Sequence, residues 1–379
     1  MKRLFPNPVL LAFIVFAPMS FLKAQTTPIN VVTTAVPFLR ISPDARAGGM
    51  GDVGIASNPD ANSAFWNAAK IPFASNTTGV TVNYTPWLKD LGLNDVYLAS
   101  IGGYHQLDDV QSLSASIRYF SLGNIQFTNA AGYNLNSYNP REFSIDFGYS
   151  RKLAEKIAIG VTVRYINSSL ASGSYEGVTY KAGSAVAGDI SVYSDGGGKQ
   201  GEGFSWGAVL SNLGTKIGYT TDGLSKSYIP ANLGLGVAYT KAFDDFNVIT
   251  FGLDVNKLLV PAPPTTTDSA AMYDYNNQNV ISSWFKSFGN SGGLKTFQAS
   301  LGAEYVYDGQ FAVRAGYFYE DQSQGGRQYF TAGLGLKYDV AGINLSYLIP
   351  SGSGVTRNPL SNTLRFGLTF DLGKSKVKQ

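Results

Sequence analysis

From residue 78 onward, apolar and polar side chains alternate one by one in short segments. Near the C-terminus Leu364, Phe366, Leu368, Phe370 and Leu372 fall on one face, and Arg365, Gly367, Thr369 and Asp371 on the other. This period of two marks a strand with different surroundings on its two sides. Ile157 to Tyr165, Phe143 to Tyr149, Phe311 to Tyr319 and Phe330 to Tyr338 repeat it. The pattern predicts strands over 78–86, 95–106, 111–122, 141–151, 156–169, 185–193, 203–212, 231–241, 246–256, 296–307, 310–320, 328–338, 341–349 and 361–372. Their connections alternate as well. Short links around Asp108-Asp109, Lys152–Glu155, Asp244-Asp245, Asp308-Gly309 and Asp339-Val340 trade places with long ones such as 123–140, 170–184 and 257–295. Short periplasmic turns and long external loops are the mark of an outer-membrane barrel. A soluble β-sandwich also alternates, but gains nothing from the long-short order of its connections. The expected fold is all-β, a transmembrane 14-stranded antiparallel β-barrel over 77–373, with both ends of the wall in the periplasm.

The N-terminus sets the compartment. Lys2 and Arg3, the apolar run Val9 to Ala17 and the small residue Ala24 read as a secretory signal over 1–24, too short in its apolar part to be a spanning anchor. The formal net charge of +3 includes Lys2, Arg3 and Lys23, so the chain after Ala24 is formally neutral, which argues against nucleic acid as a partner. There is no Cys, which excludes disulfides, thiolate metal sites and lipoprotein acylation. With 43 Gly, 23 Tyr, 23 Phe and only 15% charged residues, the composition suits strands in lipid more than a soluble domain. Nothing marks a cofactor. The expected location is the outer membrane of a Gram-negative bacterium.

Residues 25–76 do not alternate and are rich in Gly, Ala, Asn, Pro and Asp. Gly49, Gly51 and Gly54 match the spacing of a dinucleotide fingerprint, but no strand-to-helix unit surrounds them. Small residues here suit backbone packed inside a lumen, where irregular chain is tolerated because protein shields it. Phe38, Arg40, Asp44, Arg46, Gly48, Gly51, Asp60, Trp66 and Asn67 are the expected plug residues. The run Phe38 to Asp52, the element Asp60 to Asn67 and the strand end Asp254 to Pro261 resemble the PorV (LptO) family of the type IX secretion system. That resemblance implies a FadL-like barrel with an N-terminal plug. It also implies three protein partners: a giant translocon barrel, cargo bearing C-terminal secretion domains, and a surface attachment complex containing a sortase-like protein.

Candidate chemistry is sparse. His105 is the sole histidine and lies beside the Asp108-Asp109 turn, at the expected periplasmic rim. A hydrolase acting on outer-leaflet lipopolysaccharide, the lipid A O-deacylase alternative, would need its base at the other end, so no enzymatic activity is expected. On the lumen parity, Arg118, Arg164, Arg314, Lys337 and Arg365 face Asp146, Asp254 and Glu304, an expected charge network tying wall to plug. The alternative is a polar path of a FadL-like transporter of hydrophobic small molecules. The long connection 257–295 carries Leu258, Leu259, Val260, Pro261, Trp284, Phe285 and Phe288, expected to project from a stiff proline-rich stretch toward a protein partner. Outer-membrane lipids and lipopolysaccharide complete the expected surroundings. Residues 374–379 read as a short tail.

Overall fold

The computed structural model describes residues 32–89, 92–128, 131–175, 178–221, 226–264, 268–289, 293–351 and 362–375. The expected signal segment, residues 25–31 and residues 376–379 lie outside that set. The wall consists of β1 (Asn76–Pro86), β2 (Val96–Gln106), β3 (Gln111–Leu122), β4 (Arg141–Lys152), β5 (Ile157–Ser169), β6 (Gly183–Ser194) and β7 (Gly203–Gly214). It continues through β8 (Asn232–Ala242), β9 (Asn247–Leu258), β10 (Phe297–Tyr307), β11 (Phe311–Glu320), β12 (Gln328–Tyr338), β13 (Ala341–Pro350) and β14 (Leu364–Ser375). Each strand pairs antiparallel with its neighbour in sequence, and β1 pairs with β14 to close the barrel. Every strand read from the alternation is present. The wall also takes Asn76 from the segment expected as plug and reaches Ser375 in the expected tail.

The two faces are the reverse of a soluble protein's. Leu235, Leu253, Leu301, Val313, Leu334, Ile343 and Leu368 are exposed on the outside, while Thr81, Asn83, Ser100, Ser116, Thr162 and Ser346 are buried within. Such a surface is at rest only against hydrocarbon. Among the described residues no helix is long and apolar enough to cross a membrane, and a closed barrel of this kind crosses with its strands.

One end carries the connections 107–110, 153–156, 195–202, 243–246, 308–310 and 339–340. Two of these are built alike: the Asp108 carboxylate accepts from Val110 N at 2.8 Å and Gln111 N at 2.7 Å, and Asp244 accepts from Phe246 N and Asn247 N, each at 2.8 Å. These bonds favour the ionised form. The Val110 N–H holds Asp108 below the usual carboxylate range, and the Asn247 side-chain amide does most of the same for Asp244. The other end carries 87–95, 123–140, 170–182, 215–231, 259–296, 321–327 and 351–363.

The longest of these loops corrects part of the sequence expectation. Leu258 closes β9, and Leu259, Val260 and Pro261 are buried rather than projecting. The cause is a return of the chain onto the neighbouring loop, where Leu259 N donates to Ala231 O at 2.7 Å. Two helices follow, α3 (Ser269–Asn277) and α4 (Val280–Lys286). The Tyr275 hydroxyl donates to Pro261 O at 3.3 Å, and Lys216 Nζ donates to Asn276 O and Gln278 O at 2.7 and 2.8 Å, which holds the helices against 215–231. Trp284 is half-buried, and only Phe285 and Phe288 of the named set are exposed.

Leu301 is 58% exposed at the middle of β10. Leu301→Arg should cost about 2–4 kcal/mol of stability, as expected for a cation on the lipid face near the midplane. The urea midpoint of protein folded into phospholipid vesicles measures it, and an unshifted midpoint would place this face outside the bilayer.

Candidate functional site

A closed wall of this circumference encloses more space than its own inward side chains fill, and the segment before β1 occupies it. The segment is short-turned and irregular: a 3-10 turn at Pro37–Arg40, α1 (Ala45–Gly49), α2 (Ser63–Trp66) and a 3-10 stretch at Ala68–Phe73. Its backbone groups are satisfied by the wall. Asp254 Oδ2 accepts from Gly54 N and Ile55 N at 2.8 and 2.9 Å. Thr331 Oγ1 accepts from Gly51 N at 2.8 Å and donates to Gly49 O at 3.0 Å. Gln106 Nε2 donates to Ile71 O and Ala74 O, both at 3.0 Å. Irregular backbone at membrane depth is stable on these terms.

Charge pairs fix the plug laterally. Arg46 makes a two-pronged contact with Glu304 at 2.8 and 3.0 Å, meets Asp60 at 3.0 Å, and Glu304 in turn accepts from Arg314 Nε at 2.6 Å. Arg365 Nη1 reaches Asp52 at 2.8 Å, whose other oxygen accepts from the Tyr329 hydroxyl at 2.6 Å. Arg40 reaches Glu320 at 3.2 Å, and Arg327 also binds that carboxylate, at 2.7 Å. Arg118 and Arg164 meet Asp146 at 3.2 and 2.7 Å, and Arg164 adds Asp189 at 2.9 Å. That last cluster braces wall to wall, and meets the plug where the Arg118 guanidinium lies 6.0 Å from the Phe65 ring centroid.

The remaining plug residues hold its own shape. Asp44 caps α1 through Ala47 N at 2.7 Å and accepts from Trp66 Nε1 at 2.5 Å. Trp66 lies over Gly54. Asn67 Nδ2 donates to Ile55 O and to Val192 O, both at 3.1 Å. Gly48 packs on the Arg365 side chain. Phe38 is fully buried and stacks on Phe120 with ring centroids 6.4 Å apart, in an apolar cluster with Val36, Leu98, Ile166, Ile217 and Ile229 at the long-loop end. Gly51 has φ +69°, and a Cβ there would lie 2.7 Å from Tyr317 N. Gly316 of β11 has no room for a Cβ because Met50 and Gly51 backbone occupies the place.

Lys337 is a correction. It sits on the lumen parity but at the short-turn rim, where its side chain is 40% exposed and pairs with Asp371, so it belongs to no plug network. It is the penultimate residue of β12, next to the 339–340 link. His105 lies at the same rim with its ring exposed, and Thr78 Oγ1 is 2.8 Å from Nδ1. Asp189 and Glu320 were missed in the sequence although both fall on the inward parity of β6 and β11. Lys70, buried and donating to Gly54 O at 2.7 Å, carried no signal because the plug has no period.

The plug divides the lumen. A cavity of about 130 Å³ lies on the long-loop side, bordered by Ile41, Phe65, Arg118 and Arg327. A separate one of about 240 Å³ lies on the short-turn side, bordered by Arg46, Glu304, Lys337 and Asp371. Among the described residues no group of His, Cys, Asp and Glu is arranged to hold a metal.

Glu304→Ala would leave Arg314 buried without its carboxylate and Arg46 with the Asp60 carboxylate alone, a loss of about 3–5 kcal/mol. In planar bilayers the unaltered protein should show no porin-sized conductance, whereas Glu304→Ala and Gly316→Val should each show intermittent large openings. Silent bilayers for both variants would mean that the plug is held by other means.

The fold is that of solved hydrocarbon-transport barrels. The P. putida toluene transporter TodX matches with a TM-score of 0.52 at 14% identity, over 87% of this chain and 99% of that one. A TodX deltaS2S3 mutant, described as a monoaromatic hydrocarbon channel, matches with a TM-score of 0.50 at 13% identity, over 86% and 96%. At such identities the likeness speaks for the FadL-like architecture alone. No curated protein sequence matches. The sequence model of type IX secretion system protein PorV matches residues 23–265, a span that contains the whole described plug and the wall through β9. The chain therefore belongs to the PorV family of the type IX secretion system.

Proposed function

We propose that this barrel works by binding proteins at the outer membrane of a Gram-negative bacterium, neither conducting a solute nor catalysing a reaction. In this reading it receives cargo bearing a C-terminal secretion domain at the giant translocon barrel. It then delivers the cargo to the surface attachment complex where a sortase-like protein acts. The observation that carries it is the lumen occupied by the chain's own plug, cross-linked to the wall by the Arg46–Glu304–Arg314 and Arg365–Asp52 pairs. Membership of the PorV family supplies the secretion context.

The second reading is a transporter of hydrophobic small molecules, favoured by the likeness to TodX. Against it, the apolar cluster at the long-loop end is filled by Val36, Phe38, Leu39 and Ile41 of the plug itself. A lipid A O-deacylase finds little support, since the one histidine is at the short-turn rim, away from the outer leaflet.

Mass spectrometry of proteins that co-purify with a tagged copy from native outer membrane tests the proposal. Recovery of a giant barrel and of cargo sharing a C-terminal domain is expected, while recovery of the barrel alone with bound hydrophobic small molecules would favour the transporter. His105→Ala should leave cargo secretion and lipid A acylation unchanged, and loss of a deacylated lipid A species in that strain would reinstate the enzyme.

A further inference from the structure

Helix α4 and the 3-10 turn that continues it (Ser287–Gly289) are built with their polarity reversed. Ser283 and Ser287, one turn apart, are fully buried, whereas Ile281, Phe285 and Phe288, which share the opposite face, are 59%, 73% and 55% exposed. The serine face is fastened to the protein by Tyr228, whose hydroxyl lies 2.8 Å from that of Ser283, while Ser287 Oγ closes the helix end by donating to Trp284 O at 2.6 Å. A surface helix in water would turn these residues the other way round.

The position of this apolar face is set by Lys257. On β9 the outward row runs through Phe251 and Leu253, both exposed to lipid, and by alternation through Lys257. Yet Lys257 is only 2% exposed, because its Nζ donates to Thr296 Oγ1 at 2.8 Å and sits 5.2 Å from the ring centroids of both Phe288 and Phe297. The turn after α4 therefore lies on the outside of the wall, over the loop-side ends of β9 and β10. Phe288, the last member of the apolar face, thereby joins the outward row of Phe251 and Leu253 at its loop end. Lys286 and Lys295 are exposed beside it, and Leu294 is 87% exposed.

We propose that α4, the turn Ser287–Gly289 and Leu294 lie in the interface of the outer leaflet, with Ile281, Phe285, Phe288 and Leu294 among the acyl chains and Lys286 and Lys295 at the phosphates of anionic lipid. Amphipathic segments of this composition bury their apolar face at the headgroup boundary and are drawn by anionic lipid. The occupant argued here is lipid because the surface is continuous with the lipid-facing belt, and it takes the place of the protein partner expected for Phe285 and Phe288. The inference rests on the barrel fold and is independent of the secretion role.

The chain contains no Cys, so single labelling sites can be introduced without background. Nitroxide labels at Ile281→Cys and Phe285→Cys would be compared with Leu301→Cys in the lipid belt and with Tyr133→Cys, whose parent residue is 72% exposed in the 123–140 loop. The full protein is reconstituted in vesicles of phosphatidylcholine with or without phosphatidylglycerol. Labels at 281 and 285 should match 301, open to oxygen and several-fold less open to an aqueous nickel relaxant than 133. Relaxant access equal to that at 133 would overturn the proposal. So would protection that appears only when proteins from native outer membrane are added, which would mark a protein-docking face. The double variant Lys286→Glu/Lys295→Glu should make the 285 label shallower in phosphatidylglycerol vesicles and not in pure phosphatidylcholine. An unchanged depth would overturn the assignment of the lysines to phosphate.

Discussion

Hydrocarbon offers no hydrogen bonds, and that constraint governs this molecule from its strand pairing to its plug. An open sheet would leave a row of amides and carbonyls unpaired at each edge, at several kcal/mol per group. The pairing of β1 with β14 removes both edges at once. Closure then creates the second problem, a lumen broader than the inward serines, threonines and asparagines of the wall can fill. The chain solves it by folding its own N-terminal segment inward.

The character of that segment follows from the space available. Backbone must approach the wall closely, so the segment is rich in glycine and alanine, and neither Gly51 nor Gly316 has room for a side chain where the Met50-Gly51 backbone meets β11. Without helices or strands of useful length, the plug cannot satisfy its own polar backbone. The wall supplies acceptors and donors from Asp254, Thr331 and Gln106, each placed by the period of its strand. The same inward carboxylates that would be costly alone become clamps once Arg46 or Arg314 meets them. In the reading proposed above, binding falls to the surfaces rather than the interior. Loops, rim and outer wall are what a partner or a lipid can reach.

How much of this was readable in the sequence depended on which parts a period controls. Lipid on one side and polar filling on the other impose strict alternation, so all the wall strands and the inward placement of Arg118, Arg164, Glu304 and Arg365 were legible residue by residue. Asp189 and Glu320 lay on the same parity and were accessible to the same reading. The plug betrayed itself by absence of period, and its family resemblance named its residues, but nothing in the pattern paired Arg46 with Glu304 or Asp52 with Arg365. The long loop was least legible. Its apolar residues looked alike, yet Leu259 and Val260 turn inward because of a hydrogen bond to Ala231, and Phe285 is exposed because Ser283 engages Tyr228. Those outcomes depend on contacts far along the chain, which no local window contains.

Arg46 and Glu304 are separated by 258 positions, and Arg40 and Glu320 by 280. The first part of the wall to be synthesised therefore has no contribution to make to these clamps, and the N-terminal segment must wait for β10 and β11 before it has anywhere to bind. Contacts of such long range are slow to form because the entropy of closing the intervening chain is lost first. The strand pair that closes the barrel, β1 with β14, joins the end of the plug segment to the last strand of the chain. The dependence is thus written into the connectivity: the arginines that come first in the chain are held by acids that come near its end.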